Sequence, residues 1–208
     1  MCNIIWRVAA IGNWKNIIQE QLSLLKKVGL TQHLIVSFVG SSIDYSWFLV
    51  QCIDNEIVPK KLLQNENILI YEYMAIKYIE HISKTLDSNI LYFHTKGASD
   101  PSNQNKIKWR KLMESYVIED WKTNIQYLEK YYDAVGVNWV NCGNPHFSGN
   151  FWIATTQYIR TLPDFTEYAR KMNNRFACEF WIGSNPNIRY KSLFCENKDF
   201  MRGEGLEA

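Results

Sequence analysis

Short apolar runs alternate with segments of helical periodicity along most of this sequence. Apolar runs at 3–10, 33–39 and 89–94 predict buried strands. Between them, apolar residues recur at helical spacing over 14–28 and again over 75–86. An order of strand, helix, strand, helix, strand is typical of an α/β domain with a mainly parallel sheet.

The second half of the chain continues this alternation less regularly. The longest helical pattern covers 106–131, and its apolar stripe is predicted to face the core. The remaining segments are predicted as strands at 68–71, 134–139 and 147–154, helices at 158–162, 165–172 and 176–182, irregular chain at 41–67, and a core segment at 188–194. We expect one domain at 1–200, followed by a flexible tail or the start of a linker to a further domain at 201–208.

Composition excludes several classes of protein. A formal net charge of +2 does not indicate a nucleic-acid surface, and no apolar run is long enough to span a membrane. The five cysteines are scattered without a C-x-x-C motif, which suits a reducing compartment, and no signal peptide is recognisable. Neither a G-x-G-x-x-G nor a P-loop motif is present. We therefore expect a soluble, cytoplasmic protein without a dinucleotide fold.

Two segments are candidates for a binding site. The strand at 89–94 ends in His94-Thr95-Lys96-Gly97, and ligands of open α/β sheets bind beyond the carboxyl ends of strands. In the second segment, 145–154, the Gly149-Asn150 pair would let backbone approach a ligand, and Phe151 and Trp152 could stack on a sugar or a base. The simpler interpretation is an ordinary strand-to-loop transition with a solvated lysine, and aromatic residues that fill the core.

These segments, taken together, resemble a known family. The combination of IWRVAAIGNW at 5–14, LYFHTKG at 91–97 and PHFSGNFW at 145–152 resembles small glycosyltransferases with the GT-A fold, in particular the N-terminal domains with which chlorella viruses build capsid-protein glycans. The resemblance implies a single GT-A-like (Rossmann-like) α/β domain with a central mixed sheet of about six strands flanked by helices. Its donor would be a UDP-sugar, bound at the carboxyl ends of the first strands.

Several positions would contact the donor if the resemblance holds. The residues it implies are Arg7, Ala9, Gly12, Asn13, Tyr92, His94, Thr95, Lys96, Gly149, Asn150 and Trp152. Most members of the family carry Asp-x-Asp after the strand that reads 91–93 here, and those carboxylates hold a divalent cation on the diphosphate. This chain has His94-Thr95-Lys96 instead and no D-x-D anywhere.

Two solutions to the missing motif remain open. Lys96 could neutralise the diphosphate as a point charge. Alternatively, Mn²⁺ or Mg²⁺ could be held by His94 and Asp100, with His146 as a third candidate, because imidazole and carboxylate both suit such ions. We expect a divalent cation to strengthen binding through few protein ligands.

Transfer to an acceptor hydroxyl also calls for a base in an inverting enzyme. Glu179 is a lone carboxylate in an apolar segment, and His146 lies at a loop junction, so these two are the candidate catalytic residues. Glu179 could equally be an ion-pair partner of Arg175 or Arg189. Asp133, before a predicted strand, is a weaker candidate.

The sequence thus predicts transfer of a hexose or deoxyhexose, glucose or rhamnose, from a UDP-sugar to a glycan or glycoprotein acceptor. In a virus this would take place in the host cytoplasm. The alternative is a non-catalytic carbohydrate- or nucleotide-binding domain that kept the fold without the D-x-D motif. A nucleotidyltransferase is a third possibility, but the glycine- and lysine-rich N-terminal loop expected there is absent.

Overall fold

The computed structural model describes residues 2–206. Within these residues, seven strands form one central sheet in the order β3-β2-β1-β4-β8-β5-β9, and two short strands form a separate hairpin. The sheet strands are β1 Cys2–Ala9, β2 Leu34–Val39, β3 Lys61–Asn65, β4 Asn89–His94, β5 Ala134–Gly136, β8 Trp152–Thr155 and β9 Tyr190–Ser192. The hairpin pairs β6 Trp139–Val140 with β7 His146–Phe147.

Helices cover both faces of the sheet. They are α1 Trp14–Lys27, α2 Ser42–Asp54, α3 Tyr73–Ser83, α4 Gln104–Met113, α5 Trp121–Lys130, α6 Thr156–Ile159, α7 Phe165–Met172 and α8 Ala177–Phe180. Side chains of β1 alternate between the two apolar layers: Ile4 and Trp6 pack with α1, α2 and α4, whereas Ile5 packs with α3 and α8. The predicted α/β class with a mixed, helix-flanked sheet is confirmed.

Strand directions bring several chain segments to one edge of the sheet. β1 is parallel to β2 and β4, with Arg7 opposite His94. β8 runs antiparallel to β4, so Trp152 at its start lies opposite Tyr92 near the end of β4. The carboxyl ends of β1 and β4 and the loop that enters β8 therefore meet at the same edge.

Two predictions about the first half of the chain are wrong. The segment 41–67 is not irregular but contains α2 and β3, and α2 begins where Ser41 Oγ accepts the backbone N–H of Asp44 at 3.2 Å. The segment 68–71 is a 3₁₀ turn over Ile68–Ile70 rather than a strand. β3, and not 68–71, forms the edge strand beside β2.

Three long segments are divided into shorter elements. The helix predicted at 106–131 is interrupted by a π-helical segment, Glu114–Glu119, and the Asn124 amide donates to the carbonyls of Tyr116 and Val117 at this interruption. The strand predicted at 134–139 ends at Gly136, and the one at 147–154 is split between β7 and β8 by a tight turn at 148–151.

The end of the described chain is packed rather than extended away from the domain. Phe200 and Leu206 are buried, and the Phe200 ring meets the Trp109 ring edge-on at 5.5 Å. The flexible tail or start of a linker expected at 201–208 stays a prediction; residues 207–208 lie outside the described part. No helix among residues 2–206 is long and apolar enough to cross a membrane.

Candidate functional site

A cavity of about 400 Å³ opens at the carboxyl ends of β1 and β4. This is where an open α/β sheet binds its ligands. Its charged lining, among the described residues, consists of Arg7, Lys96, Lys106 and Arg175 with Glu72 and Glu179. The remaining lining is Ala9, Ile11, Ile68, Leu69, Tyr71, His94, Thr95, Gly97, Ala98, Ser99, Phe176 and Met201. Four basic groups against two carboxylates favour an anionic ligand.

The floor of the cavity is fixed by hydrogen bonds between β1 and the loop after β4. The backbone N–H of Ala9 donates to Thr95 Oγ1 at 3.1 Å, and the Thr95 N–H donates to the Arg7 carbonyl at 3.2 Å. Arg7 is held in turn by its Nε, which donates to the Tyr71 carbonyl at 3.1 Å. The predicted donor contacts Arg7, Ala9 and Thr95 are therefore brought together here.

Lys96 lies in the cavity without a carboxylate partner among residues 2–206. Its Nζ lies 3.8 Å from the centre of the Trp109 ring, an arrangement that stabilises the ammonium through a cation–π contact. Burial lowers the pKa of Lys96 below its ordinary value, although the Glu179 and Glu72 carboxylates act in the opposite direction. The cavity thus contains a desolvated positive charge without a paired anion.

His94 is buried and already has a partner. Its Nε2 lies 2.9 Å from the Gly149 carbonyl, which can only accept, so Nε2 carries the proton. Burial lowers the pKa of His94 below 6.5, with the charges of Lys96 and Arg7 acting the same way and Glu72 opposing them. The imidazole ties β4 to the loop before β8.

Glu72 lies immediately before α3 and is a functional candidate that the sequence did not reveal. Its Oε2 accepts the Tyr92 hydroxyl at 2.7 Å and the Asn150 amide at 2.6 Å. Burial disfavours its charged form, but the charges of His94 and Arg7 and these two hydrogen bonds outweigh burial and lower the pKa of Glu72.

Tyr92, Asn150 and Trp152 stand behind the cavity wall rather than in the cavity. The Trp152 Nε1 donates to Asn150 Oδ1 at 2.8 Å, and Trp152 and Phe151 are buried in the core. The expected stacking of Trp152 or Phe151 on a sugar or base is therefore wrong, because neither ring is accessible. Tyr92 and Asn150 instead hold Glu72 by hydrogen bonds, and Trp152 holds Asn150.

The Gly12-Asn13 turn supports the cavity from outside. The Asn13 N–H donates to the Ala98 carbonyl at 2.9 Å, and a Cβ at Gly12 would come within 2.0 Å of that oxygen. Gly12 also has φ +54°, so glycine is required on both counts. Neither residue lines the cavity, whose nearest lining residue in this turn is Ile11.

Glu179 and His146, the two candidate catalytic residues, lie close to each other. Glu179 Oε1 accepts the Gly149 N–H at 2.5 Å, and His146 Nε2 lies 3.9 Å from the same oxygen. Glu179 lines the first cavity, while His146 lines a second one of about 330 Å³, and Met201 lines both. The carboxylate and imidazole therefore stand between two cavities.

Other pairings proposed for the carboxylates are not observed. Glu179 contacts neither Arg175 nor Arg189 among the described ion pairs, since Arg189 pairs with Asp133 at 2.6 Å. Asp133 precedes β5, whose carboxyl end, and not its beginning, lies at the site edge. Asp133 is thus excluded from the cavity.

The proposed metal ligands His94 and Asp100 do not fit a divalent cation. His94 Nε2 is bound to the Gly149 carbonyl, and Asp100 Oδ2 pairs with Lys106 Nζ at 2.8 Å. An ammonium group, Lys96, occupies the third position of the strand-end motif. No group of three or more potential metal-ligating side chains occurs in the part of the chain that the structure describes. The arrangement favours protein cations over a protein-held metal.

The sequence also missed Arg175, Lys106 and the apolar rim of the cavity. The Arg175 guanidinium lies 4.6 Å from the Phe176 ring and 6.0 Å from the Tyr71 ring, so it bridges the two sides of the opening. Tyr71 has φ +46°, an uncommon conformation for a large residue, which sets the entry into α3. For Arg175 the one local signal was its nearness to Glu179 in an otherwise apolar segment, and no motif marked Lys106.

Comparisons with known proteins address the fold. No curated protein is significantly similar in sequence. Among solved structures, TarS 1-349 from S. aureus is 14% identical with a TM-score of 0.51, over 94% of this chain and 60% of that one. HddC from Yersinia pseudotuberculosis is 10% identical with a TM-score of 0.47, over 94% of this chain and 91% of that one. Glucosyl-3-phosphoglycerate synthase from Mycobacterium tuberculosis, in complex with Mn²⁺, UDP and phosphoglyceric acid, is 10% identical with a TM-score of 0.43, over 96% and 72%.

The similarity to TarS shows the GT-A-like fold and nothing finer, since the chain spans only 60% of that structure's length. A family profile described as "Domain of unknown function (DUF8361)" matches residues 6–175. This match covers most of the chain, and the protein therefore belongs to that family of domains.

Proposed function

We propose that this domain is a nucleotide-sugar-dependent glycosyltransferase with a UDP-sugar as donor. The observation that carries the proposal is the basic cavity at the carboxyl ends of β1 and β4. Three of its basic side chains, Arg7, Lys96 and Arg175, have no carboxylate within 4.0 Å among residues 2–206. Unpaired cations around a cavity at the ligand-binding edge of a GT-A-like sheet suit a diphosphate.

Lys96 would stabilise the leaving diphosphate. As the bond between the sugar and the diphosphate breaks, negative charge grows on the phosphate oxygens, and a fixed cation lowers the energy of that state. Lys96 follows β4 directly and is already desolvated, so it loses little hydration when the phosphate arrives. In this proposal, the Lys96 side chain supplies the positive charge that a metal supplies in D-x-D enzymes.

Glu179 would act as the base toward the acceptor. Its carboxylate takes the proton of an acceptor hydroxyl while that oxygen bonds to the anomeric carbon, and the electrons of the broken C–O bond pass to the diphosphate. The Gly149 N–H orients Glu179 Oε1, and His146 stands on its other side at 3.9 Å. The acceptor would enter through the second cavity, which His146 and Met201 line.

The sugar and acceptor follow from the sequence resemblance alone. The proposed sugar is glucose or rhamnose. The proposed acceptor is a glycan or glycoprotein such as a viral capsid protein. The free cysteines of the described chain suit action in a reducing compartment such as the cytoplasm.

The test combines nucleotide binding with turnover. UDP should raise the melting temperature more than GDP or CMP, and UDP-sugars should be hydrolysed slowly without acceptor. Glu179→Gln should retain UDP binding but lower hydrolysis or transfer roughly 100-fold or more. Asp133→Asn, at the opposite sheet edge, is the control and should change neither.

Three outcomes separate the alternatives. Equal thermal shifts with all three nucleotides would remove the UDP assignment. UDP binding without hydrolysis of any sugar donor would favour the non-catalytic binding domain. Titrations with Mn²⁺ and with EDTA test the expected divalent cation: if EDTA leaves affinity and turnover unchanged, Lys96 and its neighbours carry the charge without a metal.

A further inference from the structure

Glu72 is an unexpected group in a cavity suited to phosphate. An ionised carboxylate repels a diphosphate, yet Glu72 is held in its charged form by the surroundings described above. It lines the same cavity as Arg7 and Lys96. A fixed anion in such a place needs a part of the ligand that is neutral and donates hydrogen bonds.

The geometry leaves one oxygen of this carboxylate available. Both hydrogen bonds from Tyr92 and Asn150 reach Oε2, at 2.7 and 2.6 Å. Oε1 has no hydrogen-bond partner among the described residues, and no cationic side chain there lies within 4.0 Å of the carboxylate. Asn150 is itself fixed, since its Oδ1 accepts from Trp152 and its amide also reaches the Cys178 carbonyl at 3.2 Å.

Polyols are the ligand groups that fit a preorganised carboxylate of this kind. A hydroxyl donates to a carboxylate oxygen in a charge-assisted hydrogen bond, and it brings no negative charge of its own. We propose that Glu72 is a specificity-determining residue that binds a hydroxyl of the nucleotide sugar through Oε1. This inference rests on the proposed function, and the hydroxyl belongs to either the ribose or the transferred sugar.

The experiment pairs protein variants with ligands that differ by one group. Calorimetry measures affinities of wild type and Glu72→Gln for UDP, 2′-deoxy-UDP, 3′-deoxy-UDP and UDP-glucose. Removing the recognised hydroxyl should weaken binding to wild type roughly tenfold or more, as expected for a hydrogen bond to a charged group. In Glu72→Gln the same pair of ligands should bind with affinities within about threefold of each other, since an amide accepts more weakly.

The ligand pairs identify the source of the hydroxyl. If either deoxy-UDP binds wild type more weakly than UDP does, and Glu72→Gln abolishes that difference, Glu72 is assigned to the ribose. If both deoxy-UDPs bind like UDP, the affinities for UDP-glucose and UDP decide the case. Tighter binding of UDP-glucose than of UDP in wild type, abolished in Glu72→Gln, assigns Glu72 to the transferred sugar. Glu80→Gln is the matched control: it alters a buried carboxylate of α3, the helix that Glu72 precedes. Glu80 pairs with Lys77 and does not line the cavity.

The failures of the two proposals are distinct. If wild type binds no nucleotide, the proposed function is overturned and this inference falls with it. If wild type binds UDP but Glu72→Gln weakens every ligand by the same factor, or none, Glu72 only supports the wall and the inference alone is overturned. Glu72→Asp, which keeps the charge, guards against misfolding of Glu72→Gln. It should retain part of the ligand discrimination, and a Glu72→Asp protein that binds UDP but shows no discrimination would also overturn the inference.

Discussion

Replacement of Lys96 by alanine should separate nucleotide binding into a charged and an uncharged part. Lys96 Nζ has a ring face as its neighbour and no carboxylate partner in the described chain, so a bound diphosphate would be its counter-charge. UDP carries that charge and uridine does not. Lys96→Ala should therefore weaken the binding of UDP strongly and leave the binding of uridine nearly unchanged.

The size of the effect follows from the surroundings of Lys96. A Coulomb energy at ~4 Å is about 4 kcal/mol for an effective dielectric constant near 20, which sets the upper bound. Measured hydrogen bonds to charged groups contribute about 1.5–3 kcal/mol, or roughly 10–150-fold in affinity. We expect a loss of UDP affinity in that range and a change for uridine below about twofold.

Lys106→Ala is the matched control for this experiment. Lys106 lines the same cavity, but its Nζ is already neutralised by Asp100 at 2.8 Å. Its removal should cost at most about 1 kcal/mol of UDP binding, or roughly fivefold. Isothermal calorimetry of UDP and uridine with both variants and wild type measures all four changes. If Lys96→Ala weakens UDP and uridine alike, or no more than Lys106→Ala does, Lys96 is not the diphosphate partner.

Three further predictions concern titration and backbone geometry. Because burial lowers the pKa of Lys96 below 10.5, UDP affinity should fall with rising pH earlier than for an ordinary lysine, and calorimetry from about pH 7 to 10 should show it. His94 has a lowered pKa, so the unfolded chain takes up a proton that the folded one resists; stability should fall as pH drops below 6.5, and His94→Gln should flatten that slope in urea titrations. Gly12→Ala should destabilise by about 2 kcal/mol or more, from the clash with Ala98 and the positive φ, whereas Gly29→Ala, at φ +74° with no atom within 4 Å of its Cβ, should cost only about 1 kcal/mol in the same assay.

The sequence was sufficient for elements with strong local signals. β1, β2 and β4 are continuous apolar runs, and α1 has an apolar stripe of its own, so their positions were predicted within a few residues. The abrupt end of β4 in His94, Thr95 and Lys96 also indicated the edge at which the cavity opens, because strand ends in such sheets meet at one side.

Elements that depend on distant partners were missed. α2 lies in a stretch without a clean periodic pattern, and β3 has no fully buried residue, so packing against β2 and α1 decides that they form. The prediction for Trp152 failed because a local signal was present but misleading. Its ring suggested sugar stacking, but only the packing of β8 against β4 shows that it is buried.

By itself, then, the sequence determined the α/β class, the strand that precedes Lys96 and the edge at which the cavity opens, since these follow from local hydrophobic patterns. The tertiary structure alone decided which side chains share the cavity. Glu72 and Glu179 are far apart in the chain, and they line one cavity because α3, which Glu72 precedes, and α8 pack on the same face of the sheet. No local pattern records such long-range pairings, so neither the carboxylate held by Tyr92 nor the engagement of His94 and Asp100 by other partners could be predicted before the chain was folded.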